Sequence, residues 1–254
     1  MSFDADLTAC AALVEKADPE RFSAAMAGPV AARRVLFPIY AFNVEVARAP
    51  WVTQESMIAE MRLQWWRDAL EEIAAGGPAR RHEVVTPLAK VIDAQGAAVL
   101  DKLIVARRWD IYKDAFEDEA HLTEYLDATA SGLMWVAARA LDAKTRGQEA
   151  VYAQGRAAGL ARFLQAVPAL EAAGRIPLVD GRAEAVAARA KEALEQGNPR
   201  TVRQAVSRNA RPALTEAFLA RDILKQVVRT PQRVAAGTLG VSPLRRSLRL
   251  WQWS

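Results

Sequence analysis

Apolar residues recur along the chain at spacings of three and four, with polar residues between them. On a helix of 3.6 residues per turn, that spacing collects the apolar side chains on one face. It predicts helices over residues 7–17, 31–47, 53–75, 97–113, 123–143, 150–170, 183–196 and 214–228. The clearest is 53–75, where Ile58, Met61, Trp65, Ala69 and Ile73 form the expected buried stripe. Helix punctuation agrees with this division. Asp18-Pro19-Glu20 reads as a cap, a proline at the first helical position and an acid in the first turn. Thr86-Pro87 and Arg211-Pro212 read as further starts, and Gly76-Gly77-Pro78 and Gly197-Asn198-Pro199 as breaks. No segment alternates apolar and polar residues as a half-buried strand would. The expectation is one all-α domain spanning 1–254, of roughly eight to ten helices, with Pro38 kinking the helix over 31–47.

Composition strengthens the helical reading. Alanine, the best helix former, fills 53 of 254 positions. Hydrophobic residues make up 52% and charged residues 25%, which excludes a disordered chain. No uncharged run exceeds 11 residues, against about 20 for a membrane span. The acidic start Met1-Ser2-Phe3-Asp4-Ala5-Asp6 lacks the basic region of a signal peptide, so a cytoplasmic protein is expected. Cys10 is the only cysteine and is expected to be a small packed residue in a reducing compartment. His82 and His121 have no partner at ligand spacing, so no protein-held metal is expected.

Charge changes the picture more. The formal net charge is +4, but residues 200–254 hold 11 basic side chains against two acids, Glu216 and Asp222. A basic C-terminal part suits an acidic partner or a membrane surface. No nucleic-acid motif accompanies it, so nucleic acid is not expected. The closing Trp251-Gln252-Trp253 beside arginines fits a membrane interface, a partner groove or packing onto the domain.

Five motifs carry a resemblance. They are Arg33–Phe42 with Tyr40-Ala41-Phe42, then Leu63-Gln64-Trp65-Trp66-Arg67, then Tyr125-Leu126-Asp127, then Gly155-Arg156-Ala157-Ala158-Gly159, then Gly174-Arg175-Ile176. In this order and at these spacings the chain resembles the squalene/phytoene synthase family over about residues 15–230. The resemblance implies an isoprenoid (head-to-head prenyl) synthase-like helical bundle with a central cavity. In that family two aspartate-rich motifs on facing helices hold Mg²⁺ ions that bridge the diphosphates of two allylic substrates.

The positions matching those motifs carry no acids. The first falls on Ala47, Arg48 and Trp51, and the second on Arg162, Ala166 and Leu170. A site with arginines and no carboxylates opposes Mg²⁺, so neither Mg²⁺ nor catalysis is expected. Pro50 and Pro168 are expected to break the helices there. The departures resemble a divergent branch of the family, the one containing the mitochondrial assembly factor for respiratory complex I. The leading expectation is a non-catalytic assembly or accessory factor with a protein partner, peripheral on the inner face of the membrane. One alternative is a protein that binds an isoprenoid or phospholipid-type ligand, with phosphate on Arg48 or Arg162 and Tyr40, Phe42, Trp65 and Trp66 lining the cavity. Another is an active prenyl transferase using displaced acids such as Glu45, Glu55 or Glu60. The acidic run Asp114–Glu119 reads as a cation site or, more simply, as a loop or first helical turn.

Overall fold

The computed structural model describes residues 4–253; Met1, Ser2 and Phe3 of the acidic start, and Ser254, lie outside them. Among the described residues the regular elements are all helical. In chain order they are α1 (Ala5–Ala17), α2 (Pro19–Ala27), α3 (Val30–Arg48), α4 (Ser56–Ala74) and α5 (Val85–Leu88). Then come α6 (Ala94–Ala106), α7 (Trp109–Tyr112), α8 (Glu119–Leu126), α9 (Gly132–Ala140) and α10 (Gln148–Ala172). The last are α11 (Ala183–Gln196), α12 (Pro199–Ala205), α13 (Arg211–Leu214), α14 (Ala220–Arg229) and α15 (Pro243–Trp253).

The cap at Asp18 works as the sequence implies, and Asp4 supplies one the pattern does not single out. The Asp4 carboxylate accepts from the Leu7 N–H at 2.8 Å and starts α1. Asp18 ends α1, and its side chain accepts from the Arg21 N–H at 3.0 Å to start α2. Two prolines behave differently from each other. Pro50 lies in the 3₁₀ turn Ala49–Trp51 that follows α3, as expected of a helix breaker. Pro168 lies inside α10, which runs on to Ala172, and Pro38 lies inside α3. Each proline lacks one helical N–H, but α3 and α10 are central: Leu36, Ile39, Tyr40 and Phe42 of α3 and Val167 of α10 are essentially fully buried. Packing on both sides of the proline outweighs the single lost hydrogen bond.

The buried stripe of α4 matches the expected one only in its C-terminal half. Ala69 and Ile73 are buried as expected, together with Ala59, Leu63, Trp66 and Leu70, while Ile58, Met61 and Trp65 are exposed, Met61 by 66%. The segment carries two apolar rows one position apart, and only the partner helices choose between them. Trp66 meets Phe42 of α3 edge-on, 5.4 Å between ring centres. Trp65 is left on the outer side, under the Arg80 guanidinium at 4.8 Å.

Three predicted helices are interrupted. The one over 97–113 splits between α6 and α7, where Trp109 and Asp110 turn inward. The one over 123–143 contains a π-turn at Asp127–Ser131. There the Thr129 hydroxyl donates to the Tyr125 carbonyl at 2.6 Å, and the Ser131 hydroxyl to the Tyr152 carbonyl at 2.9 Å. The one over 214–228 opens with a 3₁₀ turn, Thr215–Ala217, which carries Glu216 into the interior. Residues 243–253, for which no helix is expected from the pattern, form α15.

Cys10 is fully buried, its thiol donates to the Glu83 carbonyl at 3.4 Å, and burial with nearby Glu83 pushes its pKa up to about 12. The native thiol is therefore expected to react with a disulfide reagent at neutral pH only as fast as the fold opens. A stopped-flow thiol titration that finds prompt native reactivity would contradict this placement.

Candidate functional site

The positions of the two expected aspartate motifs fall at the exposed C-terminal end of α3 and on the inward side of α10, and each is occupied by something other than a metal ligand. At the C-terminal end of α3, Ala47 and Arg48 precede Trp51 in the 3₁₀ turn. Arg48 is half-exposed and pairs with Glu45 one turn back, at 2.6 Å. Trp51 stacks under the Arg175 guanidinium at 4.8 Å. On α10, Leu170 is buried, Ala166 packs partly against the core, and Arg162 reaches inward. One Arg162 amino group donates to the Glu216 backbone carbonyl at 2.7 Å and lies 3.5 Å from its carboxylate.

Arg162 joins a buried charge cluster. Arg21 of α2 pairs with Glu216 and, at 2.8 Å, with Asp18. The Tyr40 ring lies 5.7 Å under the same guanidinium. Two arginines thus face two carboxylates, and the cluster is close to neutral. Burial opposes charging of Arg21, but Glu216 and Asp18 outweigh it and keep the guanidinium ionised. Burial also opposes ionisation of Asp18, yet Arg21 and Arg162 hold its carboxyl below the usual range. Burial and Glu216 push the Tyr40 phenol well up, so it stays neutral.

The donor set does not fit a divalent cation. Alanine, tryptophan and leucine offer no side-chain oxygen, and the two arginines repel one. The acids that could substitute are spread apart, and two of the three are engaged. Glu45 holds Arg48, and Glu60 holds Arg108 at 3.1 Å. Glu55 sits exposed just before α4. Among the described residues no group of three or more His, Cys, Asp or Glu is placed to hold a metal ion. Asp118 of the acidic run caps α8 through the His121 N–H at 2.8 Å, as an acid in a first turn should.

The aromatic candidates are also placed apart. Tyr40 and Phe42 are fully buried, Trp66 is 5% exposed and Trp65 is 37% exposed. Clefts of 640, 610 and 480 Å³ open elsewhere, and none of these four residues, nor Arg48 or Arg162, lines them. Pattern reading alone missed Arg21, Asp18 and Glu216. A charged residue on an apolar helix face was the available signal for Arg21, but nothing local links it to Glu216, 195 residues away.

Polar residues of the other motifs tie helices together. Arg67 pairs with Asp101 at 2.7 Å, joining α4 to α6. Arg156 grips Asp127 through both oxygens, at 2.8 and 2.7 Å. Arg175 is buried, donates to the carbonyls of Trp109 and Asp110, and lies 5.2 Å over the Trp109 ring. Gly155 and Gly159 let α10 approach the π-turn: a Cβ on Gly155 would stand 2.6 Å from the Ser131 Cα, and one on Gly159 2.5 Å from the Ala130 Cβ.

Comparison with known proteins agrees with this architecture. A family model described as squalene/phytoene synthase matches residues 14–179. The Drosophila melanogaster protein described as NADH dehydrogenase (ubiquinone) complex I, assembly factor 6 homolog is 30% identical over 166 residues, 63% of this chain and 50% of that one. The Homo sapiens complex I assembly factor 6 is 27% identical over 162 residues, 63% of this chain and 48% of that one. The chain therefore spans about half the length of the curated relatives it matches. Among solved structures, a dehydrosqualene synthase in complex with ligand superposes with a TM-score of 0.78 at 17% identity, covering 98% of this chain and 95% of that one. Squalene synthase HpnC from Alicyclobacillus acidocaldarius gives 0.72 at 17% identity, covering 89% and 94%. These two likenesses show an isoprenoid synthase-like helical bundle.

Proposed function

The chain belongs to the squalene/phytoene synthase family, and from that premise we propose that it is a non-catalytic member that assists assembly of a respiratory complex I-type enzyme. The observation that carries the first half is the occupation of both motif positions. Where the chemistry needs carboxylates, Arg48 and Arg162 stand, each engaged by a glutamate. With no Mg²⁺ as cofactor, nothing neutralises a departing diphosphate by the family's route. The relatives named as assembly factors support the second half, and they imply a protein partner.

An exposed apolar surface also favours a protein partner over a buried substrate. Trp51 and Val52, which follow α3, are 46% and 50% exposed, and Met57 and Met61 on the outer face of α4 are 74% and 66% exposed. Large exposed apolar side chains grouped along one element commonly mark a contact surface. No described helix is long and apolar enough to cross a membrane, so any membrane association is peripheral or indirect in this reading.

Two measurements test it. The purified chain, given farnesyl or geranylgeranyl diphosphate with Mg²⁺, is expected to form no squalene or phytoene; product formation would overturn the non-catalytic half. A deletion strain is expected to accumulate incompletely assembled complex I on native gels and to oxidise NADH slowly. Fully assembled, fully active complex I in that strain would overturn the assembly half.

A further inference from the structure

The strongest unassigned feature is a cleft of 640 Å³ between the ends of α2, α9 and α12 and the start of α3. It lies at the opposite end of α3 from Arg48. From Ala32 to Arg48 the helix rises about 24 Å at about 1.5 Å per residue, so the cleft is well away from Arg48, and Arg162 does not line it. Its volume falls within the range of small-molecule sites, about 300–1,000 Å³.

Its walls have two characters. Apolar lining comes from Ala31 and Val35 of α3, Leu141 after α9, and Trp253 of α15. The same lining includes three arginines, Arg203, Arg208 and Arg211. Among the described residues none of the three has a carboxylate partner. Arg203 donates to the Gln252 backbone carbonyl at 3.2 Å and lies 5.9 Å over the Trp253 ring. Arg208 is exposed. The Arg211 Nε is buried with no acceptor. The one acid lining the cleft, Asp142, is paired with Lys144 outside it. A cluster of three uncompensated arginines beside apolar walls raises the local potential for an anion. Guanidinium groups match phosphate oxygens in geometry and stay charged at any physiological pH.

We propose that this cleft binds an amphiphilic phosphate, with the phosphate on Arg203, Arg208 and Arg211 and the apolar body against Val35, Leu141 and Trp253. The ligand class has two sources, a soluble phosphate ester or the headgroup region of an anionic lipid. The position of α15 bears on the second. Arg249 clamps that helix to Asp222 at 2.7 and 2.9 Å, and the outward side carries Leu244, Leu248 and Trp251, exposed by 87%, 51% and 76%. An apolar row of this kind, next to an arginine cleft, is how an interfacial helix meets a lipid surface.

The test uses the full chain, with calorimetry for hexyl phosphate and sedimentation for phosphatidylcholine vesicles with and without phosphatidic acid. Arg208→Glu is the diagnostic variant, because its side chain is exposed and has no ion-pair partner to lose. Arg221→Glu makes the same charge change at an exposed position outside the cleft. Binding of at least one probe is expected, weakened roughly tenfold or more by Arg208→Glu, the size of one charge-assisted contact, and unchanged by Arg221→Glu. Arg208-dependent binding of hexyl phosphate identifies a soluble source. The same dependence for phosphatidic acid vesicles alone identifies the lipid. Absence of binding to both probes would overturn the proposal, and so would vesicle binding weakened equally by the two variants. Neither result bears on whether the chain assists complex I assembly.

Discussion

Replacing Glu216 by alanine is expected to destabilise the fold by about 3–5 kcal/mol, the usual cost of leaving a buried charge uncompensated. Glu216 is 3% exposed and Arg21 is 6% exposed. Removing the glutamate leaves Arg21 and Arg162 facing the single carboxylate of Asp18, an unbalanced positive charge inside the fold. The charge imbalance, more than the lost hydrogen bonds, sets the size of the effect. The double variant Arg21→Met, Glu216→Leu is therefore expected to recover most of the loss, because it removes both charges and keeps the volume. Urea denaturation followed by circular dichroism measures both. A Glu216→Ala midpoint equal to that of the parent would contradict the buried cluster. The same cluster predicts an acid limb. Asp18 has its pKa held below the ordinary value, so its contribution is complete above about pH 4 and is lost as pH falls through the lowered pKa. Asp18→Asn is expected to flatten that limb in melting temperatures measured from neutral to acid pH. An unchanged limb would place the acid sensitivity elsewhere.

Gly155→Val is expected to cost more than the about 1–3 kcal/mol typical of overpacking, and to prevent folding if α10 cannot retreat. Even a single Cβ at this position would stand 2.6 Å from the Ser131 Cα, and backbone cannot rotate aside as a long side chain can. Gly159 provides the internal control. Its added Cβ would meet the Ala130 Cβ at 2.5 Å, so Gly159→Ala is expected to destabilise and Ala130→Gly to relieve it in the double variant. The double-mutant cycle should give a favourable coupling above about 0.5 kcal/mol. Additive effects would mean that the two helices do not meet there.

The all-α class was legible because alanine content and apolar spacing are local properties of the chain. The helix end capped by Asp18 was legible for the same reason. The breaks at Arg107–Arg108, at the π-turn Asp127–Ser131 and at Thr215–Ala217 were not. Each arises where a side chain or the backbone is drawn toward another helix, which no local window contains. The face of α4 was misread for a related reason. Both of its apolar rows are plausible alone, and Phe42 decides between them.

The candidate site divides in the same way. That positions 47, 48, 51, 162, 166 and 170 carry no acids is read directly from the sequence, while their match to the aspartate motifs is what the resemblance implies. Only the tertiary structure decided what those residues do instead: Arg162 meets Glu216, Trp51 meets Arg175, and Arg48 turns back onto Glu45. It also decided that the basic C-terminal part is not uniformly free. Arg249 is bound to Asp222, while Arg203, Arg208 and Arg211 line one cleft with no carboxylate partner among the described residues. Charge along a chain is additive and can be counted, but which charges neutralise each other depends on distances that exist only after folding.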